Sequence, residues 1–251
     1  MRVPYLSYSR ISTFDQCQGQ YHAVYDLDIK EKPEDIHPVT LMGRAGHKMF
    51  QVATNAMRSG RREPLWDPMT CMEAACRQNA VAEDLKPLLA DLTQAAKDWG
   101  YFRHIERIVG CEVPFHLEVA DDIWIKGFID RLDLWKDQAD IVDLKFGKWL
   151  PAEFDGWQAR IYNVAVRRLF PQVTGKVQVS FWYLRHRVER VYLTASDAEQ
   201  DEVRLVEKAR EILAIENPTF SVSALCPWCP YKDECPEQGK SRKQRYKDKY
   251  R

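Results

Sequence analysis

Residues 122–147 read "DIWIKGFIDRLDLWKDQADIVDLKFG". β-Branched and aromatic residues crowd both halves, and "KDQ" (136–138) separates them, the pattern of two strands joined by a turn. Upstream, "IVGCEVPFHLEV" (108–119) has the same character and is set off by "ADD" (120–122). The three segments read as an antiparallel meander. Side chains two apart on a strand share a face. In "IVDLKFG" that puts Asp143 and Lys145 on one face, with Val142 and Leu144 on the other. One strand earlier Asp130 sits among apolar residues, and pairing through the turn lets Asp130 and Asp143 approach. Two carboxylates that close need a proton or a cation between them. Oxygen ligands of this kind suit a hard ion such as Mg²⁺ or Mn²⁺. A lysine beside them fits the stabilisation of a pentavalent phosphate or the orientation of attacking water. Taken alone, however, a D-x-K strand is more often a solvated face carrying an ion pair.

Outward from the meander the period changes. "SRISTFDQCQGQYHAVYDL" (9–27) predicts a helix opened by Ser9 or Ser12, with Ile11, Phe14 and Tyr21 on its apolar side. "PVTLMGRAGHKMFQVATNAMRSG" (38–60) predicts a second helix ended by Gly60, and residues 69–105 read as helical with an interruption around Pro87. After the meander come a helix over 151–170 stopped by Pro171, strands over 176–186 and 188–194, and a helix over 197–216 capped by Ser196 or Asp197. The order gives a mixed α/β domain with a helical insertion. At 251 residues, 45% of them hydrophobic and 12% aromatic, the chain has enough material for a substantial core. Lys+Arg and Asp+Glu balance at 37 each, so net charge gives no hint of a nucleic-acid partner. The tail after Gly239 carries seven Lys or Arg against one Asp, and reads either as a solvated terminus or as a phosphate-binding arm.

Three of the seven cysteines lie in "CPWCPYKDEC" (226–235). Their spacing is too tight for an orderly disulfide framework. The start, "MRVPYLSYSR", lacks the apolar core of a signal peptide, and no stretch of the sequence is apolar enough to span a membrane. A cytoplasmic location is expected, where clustered thiols bind metal more often than each other. Three thiolates leave a tetrahedral site one ligand short. Cys71 and Cys76, among alanines, and Cys111, in a strand, read as packing residues.

In order along the chain, "GRAGHKMF", "GFIDRLDL", "IVDLKFGK", "QARIY" and the cysteine knuckle resemble the PD-(D/E)XK nuclease superfamily. The likeness is specifically to its RecB-like branch with an iron–sulfur cluster, which includes AddB-type helicase–nucleases and Cas-four nucleases. The resemblance runs from about Ser7 to Cys235. It implies a restriction-endonuclease-like core, with one nuclease domain over 1–239, a helical insertion at about 61–106, and a basic tail over 240–251. It further implies that His47, Asp130 and Asp143 bind the catalytic Mg²⁺ or Mn²⁺, aided by the main-chain carbonyl of Leu144, and that Lys145 is the catalytic lysine. Gln158 and Tyr162 match the family's Q-x3-Y helix, which contacts the substrate strand; their i,i+4 spacing does put both on one helix face. Glu112 stands where related sequences often carry an acid.

Two positions depart from the pattern. Asp143 stands for the commoner Glu, and Phe146 for a small polar residue, leaving open what Phe146 contacts. The resemblance also supplies a fourth thiol. The stretch "SYSRISTFDQC" ends in Cys17, which with Cys226, Cys229 and Cys235 makes the implied ligand set of a [4Fe–4S] cluster. A structural zinc site has the same donors. The implied activity is a metal-dependent deoxyribonuclease, an exonuclease on single strands or DNA ends, in recombination, repair or CRISPR adaptation. Its partners would be DNA and a helicase or CRISPR adaptation proteins. The sequence has no G-x4-G-K-[ST] loop, so a helicase would be a separate chain. The competing expectation is a catalytically silent DNA-end-binding or structural component of a larger complex.

Overall fold

The computed structural model describes residues 5–30, 36–62, 65–152, 156–194, 198–223 and 226–237. They fall into two compact units, one from 1–7 and 38–209, the other from 8–37 and 210–251. The basic tail and the Ser196 or Asp197 cap lie outside the described residues. Among the described residues no helix is long and apolar enough to cross a membrane.

A six-stranded mixed sheet organises the first unit. Its meander is β2 (Ile108–Ala120), β3 (Ile123–Trp135) and β4 (Gln138–Lys145), each antiparallel to the next. Both turns are two residues long, and each uses one left-handed residue, Asp122 at φ 60° and Lys136 at φ 56°. A crossover then lays β5 (Val177–Tyr183) parallel to β4, and β6 (Val188–Thr194) closes the edge antiparallel to β5. The sequence reading missed β1 (Tyr5–Leu6), two residues that pair in parallel with Trp124 and Ile125. So short a strand has no period to detect.

The helices take the chain numbering α1 (Tyr8–Gln16), α2 (Gln18–Tyr21), α3 (Pro38–Arg58), α4 (Met72–Gln78), α5 (Lys86–Asp98), α6 (Trp157–Leu169) and α7 (Ala198–Leu213). In α3 the buried residues Met42, Ala45, Gly46, Met49, Phe50 and Ala53 recur at helical spacing. Met42, Ala45, Met49 and Phe50 join Leu89 and Leu92 of α5, Tyr101, and Leu144, Phe146, Trp182 and Leu184 in one core. Gly60, at φ 75°, ends α3 as expected. Pro87 lies in the first turn of α5 and opens that helix rather than interrupting one. The expected 151–170 helix starts later, at Trp157, after Gly156 at φ 75°. The expected strand over 176–186 ends at Tyr183 and continues as a 3₁₀ turn. Cys76 and Cys111 are buried, Cys111 lying 3.2 Å from the Tyr101 hydroxyl. Cys71 is half-buried and donates to the Pro68 carbonyl at 3.2 Å.

In the second unit the expected first helix is broken. Cys17 adopts an extended backbone (φ −164°) between α1 and α2, and a π-helical turn over His22–Asp26 follows.

Candidate active site

The β3–β4 ladder runs from Trp135↔Gln138 to Arg131↔Val142 and stops. One more step would pair Asp130 with Asp143. There the strands separate, and the Leu144 amide donates to Asp130 Oδ2 at 2.8 Å. β4 meanwhile stays on β5 as far as Lys145↔Tyr183. The fork opens where the carboxylates stand, so the turn register sets the position of both acids.

Asp143 is 2% exposed, which excludes a solvated strand face. Its Oδ2 accepts from Gln158 Nε2 at 2.7 Å and from the Tyr162 hydroxyl at 3.0 Å. Oδ1 lies 2.6 Å from Lys145 Nζ, yet has no aligned hydrogen-bond donor among the described residues. The ammonium also donates to Gln158 Oε1 at 2.9 Å. Gln158 therefore holds both ends of the ion pair, its oxygen on the cation and its nitrogen on the anion. Gln158 Nε2 also donates to the Tyr162 oxygen at 2.8 Å. Burial, followed by the Asp143 and Asp130 charges, pushes the Tyr162 pKa well above its ordinary value, so it remains a phenol able to donate.

A second group lies alongside. His47 Nδ1, from α3, is 3.3 Å from Asp130 Oδ2 and 3.4 Å from Glu112 Oε1. His47, Glu112 and Asp130 each offer one ligand atom, all within 4.8 Å of one another. Burial opposes a charged imidazole, but the Asp130, Glu112 and Asp143 carboxylates outweigh it and push the His47 pKa up to about 9. Burial raises Asp130 to about 7; His47 and Lys145 pull it down, while Asp143 and Glu112 push it up. Such crowding of negative charge in a buried place favours a cation.

All the sequence-predicted residues of this site meet within the first unit, in two adjoining groups. His47 and Asp130 gather with Glu112, whereas Asp143 gathers with Lys145, Gln158 and Tyr162. Leu144 enters through its amide. The sequence left the role of Glu112 open. Cys111↔Arg131 and Val113↔Ile129 place it opposite Asp130, and its φ of 53° is unusual for a non-glycine residue in a strand. Strand alternation assumes extended backbone and does not reveal such a residue. Phe146 also finds its contact. Its buried ring lies edge-on to the His47 imidazole, with centroids 5.4 Å apart. A Cβ on Gly46 would come within 2.4 Å of that ring, so "GRAGH" needs glycine one residue before the histidine.

In the second unit the C-terminal segment runs beside α2. Gly19 N donates to the Thr219 carbonyl at 2.9 Å, and Gln18 Oε1 accepts from Thr219 N at 3.0 Å and Oγ1 at 2.9 Å. Cys17 Sγ accepts from the Gln20 and Ser221 amides, both at 3.4 Å. Cys226 Sγ accepts from the Ser223 amide at 3.3 Å. Burial raises the Cys229 pKa, a Tyr231 backbone hydrogen bond lowers it, and Cys17, Cys235 and Cys226 raise it further. Among the described residues the ligand atoms that gather within 4.8 Å of one another are those of His47, Glu112 and Asp130, not the four cysteine sulfurs.

A mixed sheet whose central fork carries an aspartate pair and a lysine, under a helix bearing Gln and Tyr, is a nuclease architecture. The chain matches the profile of the PD-(D/E)XK nuclease superfamily over residues 5–236, and it belongs to that superfamily. Among curated proteins it is 28% identical over 157 residues to an ATP-dependent helicase/deoxyribonuclease subunit of Streptococcus pyogenes serotype M3, covering 57% of this chain and 14% of that protein. The serotype M12 counterpart is 28% identical over 152 residues, covering 56% and 14%. The chain thus spans a small part of the length of these relatives. The solved crystal structure of SSO0001 aligns with 77% of this chain and 86% of its own, at 16% identity and TM-score 0.38.

Proposed function

We propose that the chain is a metal-dependent deoxyribonuclease that hydrolyses phosphodiester bonds, working as an exonuclease on single strands or DNA ends. The observation that carries this reading is the buried Asp143 with an unaligned Oδ1, paired to Lys145 and set beside the His47–Glu112–Asp130 group. The donor set fits a hard divalent cation: carboxylate oxygens and one imidazole, with more negative charge than the neighbouring cations neutralise. His47, Asp130 and Asp143 would hold Mg²⁺ or Mn²⁺, with the Leu144 carbonyl assisting and Glu112 beside them. When bound, that ion supplies Lewis acidity and neutralises charge building on the phosphate.

The chain's own residues do the rest. Lys145 places a positive charge beside Asp143, where negative charge develops on the phosphate oxygens during attack. Gln158 fixes the ammonium and the carboxylate relative to each other, and Tyr162 keeps Asp143 in one orientation. The buried setting strengthens each of these interactions.

In the second unit, Cys17, Cys226, Cys229 and Cys235 would be the thiolate ligands of a [4Fe–4S] cluster, a donor set that a structural zinc ion shares. Backbone amides already donate to the Cys17 and Cys226 sulfurs, the bonds that stabilise thiolate ligands. The curated relatives, helicase/deoxyribonuclease subunits by name, support a DNA substrate and a helicase partner. In this reading the sheet unit is the catalyst, and the cluster would tie together the two chain segments of the cysteine unit itself.

A time course on strands labelled at either end, with Mg²⁺, Mn²⁺ or EDTA, tests the activity. Metal-dependent release of mononucleotides or short products from one end is expected. Intact DNA under all three conditions overturns the reading in favour of a silent DNA-binding or structural component.

A further inference from the structure

The segment leaving β4 carries an aromatic residue in an unusual setting. Trp149 is 78% exposed, more than any other large hydrophobic side chain among the described residues. A tryptophan left in water forgoes a large burial gain and leaves a broad π-face open to a ligand. The backbone just before it is nonetheless held. Arg185 Nε donates to the Phe146 carbonyl at 3.1 Å, and the His186 ring lies 2.8 Å, through Nε2, from the Lys148 carbonyl. The loop therefore presents the indole from a fixed base, next to the exposed Lys148.

Covalent geometry ties this ring to the candidate site. Trp149 follows Lys145 by four residues, so their Cα atoms lie at most about 14 Å apart. On the other side of the fork, Phe128 precedes Asp130 by two residues of β3, about 7 Å along the strand, and is 54% exposed. Two water-facing aromatic rings thus stand within a few nucleotide lengths of the carboxylates, one on β3 and one just beyond the end of β4.

We propose that Trp149 and Phe128 are stacking platforms for bases of an unpaired strand on either side of the phosphate held at Asp130, Asp143 and Lys145. The inference rests on the nuclease reading and specifies its substrate. Every base offers a π-face to an aromatic ring, so the grip is tolerant of sequence. In a duplex those faces are already covered by neighbouring bases, so the platforms select single strands.

The test is binding of a fluorescein-labelled oligothymidylate in EDTA, read by anisotropy against a blunt duplex of equal length, with Leu193→Ala as an exposed apolar control on β6. Trp149→Ala should weaken strand binding by roughly 5- to 150-fold, the worth of one stacked base. Phe128→Ala should act in the same direction. Trp149→Phe should recover most of the loss, and duplex binding and the control should change less than twofold. Strand affinity unaltered in both alanine variants, or strand and duplex weakened alike, overturns the proposal. Because binding is read without metal, the outcome is separate from cleavage. A wild type that cleaves DNA while its alanine variants bind normally defeats the platforms and spares the nuclease. A wild type that grips strands through Trp149 but never cleaves does the reverse.

Discussion

Around Asp143 every polar side chain is held by another: Gln158 by Lys145 and Asp143, Tyr162 by Asp143, His47 by two acids. Around the four cysteines the bonds run from backbone amides to sulfur, at 3.3–3.4 Å, and none of these four thiols is buried. The first site is organised by its own fold, so removing one member disturbs chemistry more than architecture. The second joins α2 to the 219–221 segment through Thr219, while the sulfurs themselves receive only long backbone bonds, so the proposed cluster would add the link to the 226–235 knuckle. That contrast predicts where damage appears as lost rate and where as lost stability.

The largest effect is expected at Cys17. A link between Cys17 and the 226–235 knuckle closes a ring of some two hundred residues, worth about 5 kcal/mol in the loop-entropy account. Cys17→Ser should give colourless, poorly soluble protein, while Cys71→Ser stays brown and active. Iron and acid-labile sulfide analysis with the visible spectrum decides it. A Cys17→Ser protein with full iron content would remove that residue from the ligand set, and stoichiometric zinc in anaerobically purified wild type would replace the cluster.

Next come Asp143→Ala and Lys145→Ala, each expected to lower the cleavage rate by about 10²–10³-fold while thermal unfolding changes little. Rates near wild type under Mg²⁺ would break the assignment, and unfolding of both variants would erase the contrast between the sites.

Gln158→Ala should fall between structure and chemistry. It orients a carboxylate and an ammonium without being either, and the loss of such supporting partners typically costs about 10–100-fold in metal affinity or activity. Steady-state kinetics and Mn²⁺ titration of the variant measure it; an effect as large as that of Lys145→Ala would mean Gln158 itself meets the substrate.

The remaining test needs no substitution and reads a pH slope. In the metal-free site Asp130 holds its proton up to about pH 7, and His47 up to about pH 9. A cation must displace whatever protons remain. Mn²⁺ affinity should therefore rise with pH, by close to two protons' worth below pH 7 and one between 7 and 9. Calorimetry in buffers of different ionisation enthalpy counts those protons. A pH-independent affinity would place the ion away from His47 and Asp130.

Much of the sheet site was legible because strands are local and turns are short. A two-residue turn after Trp135 leaves one register that buries the apolar face, and that register brings Asp130 opposite Asp143. Gln158 and Tyr162 could be paired from helical spacing alone. A continuous first helix is the wrong reading at Cys17 because apolar spacing carries across that residue, whereas the extended backbone there goes with bonding to residues some two hundred positions away.

By itself, then, the sequence determined the meander, the helical face carrying Gln158 and Tyr162, and the residue types able to hold a hard cation or four-thiolate group. These follow from side-chain periodicity and donor chemistry, which neighbouring residues settle among themselves. Only the tertiary structure decided that Asp143 is dry, that Glu112 joins His47 and Asp130 through a strained backbone, that Phe146 braces the imidazole across Gly46, and that β5 runs parallel to β4. Each of these depends on what packs against a residue from a distant part of the chain, and burial and pairing across such distances leave no period in the local sequence.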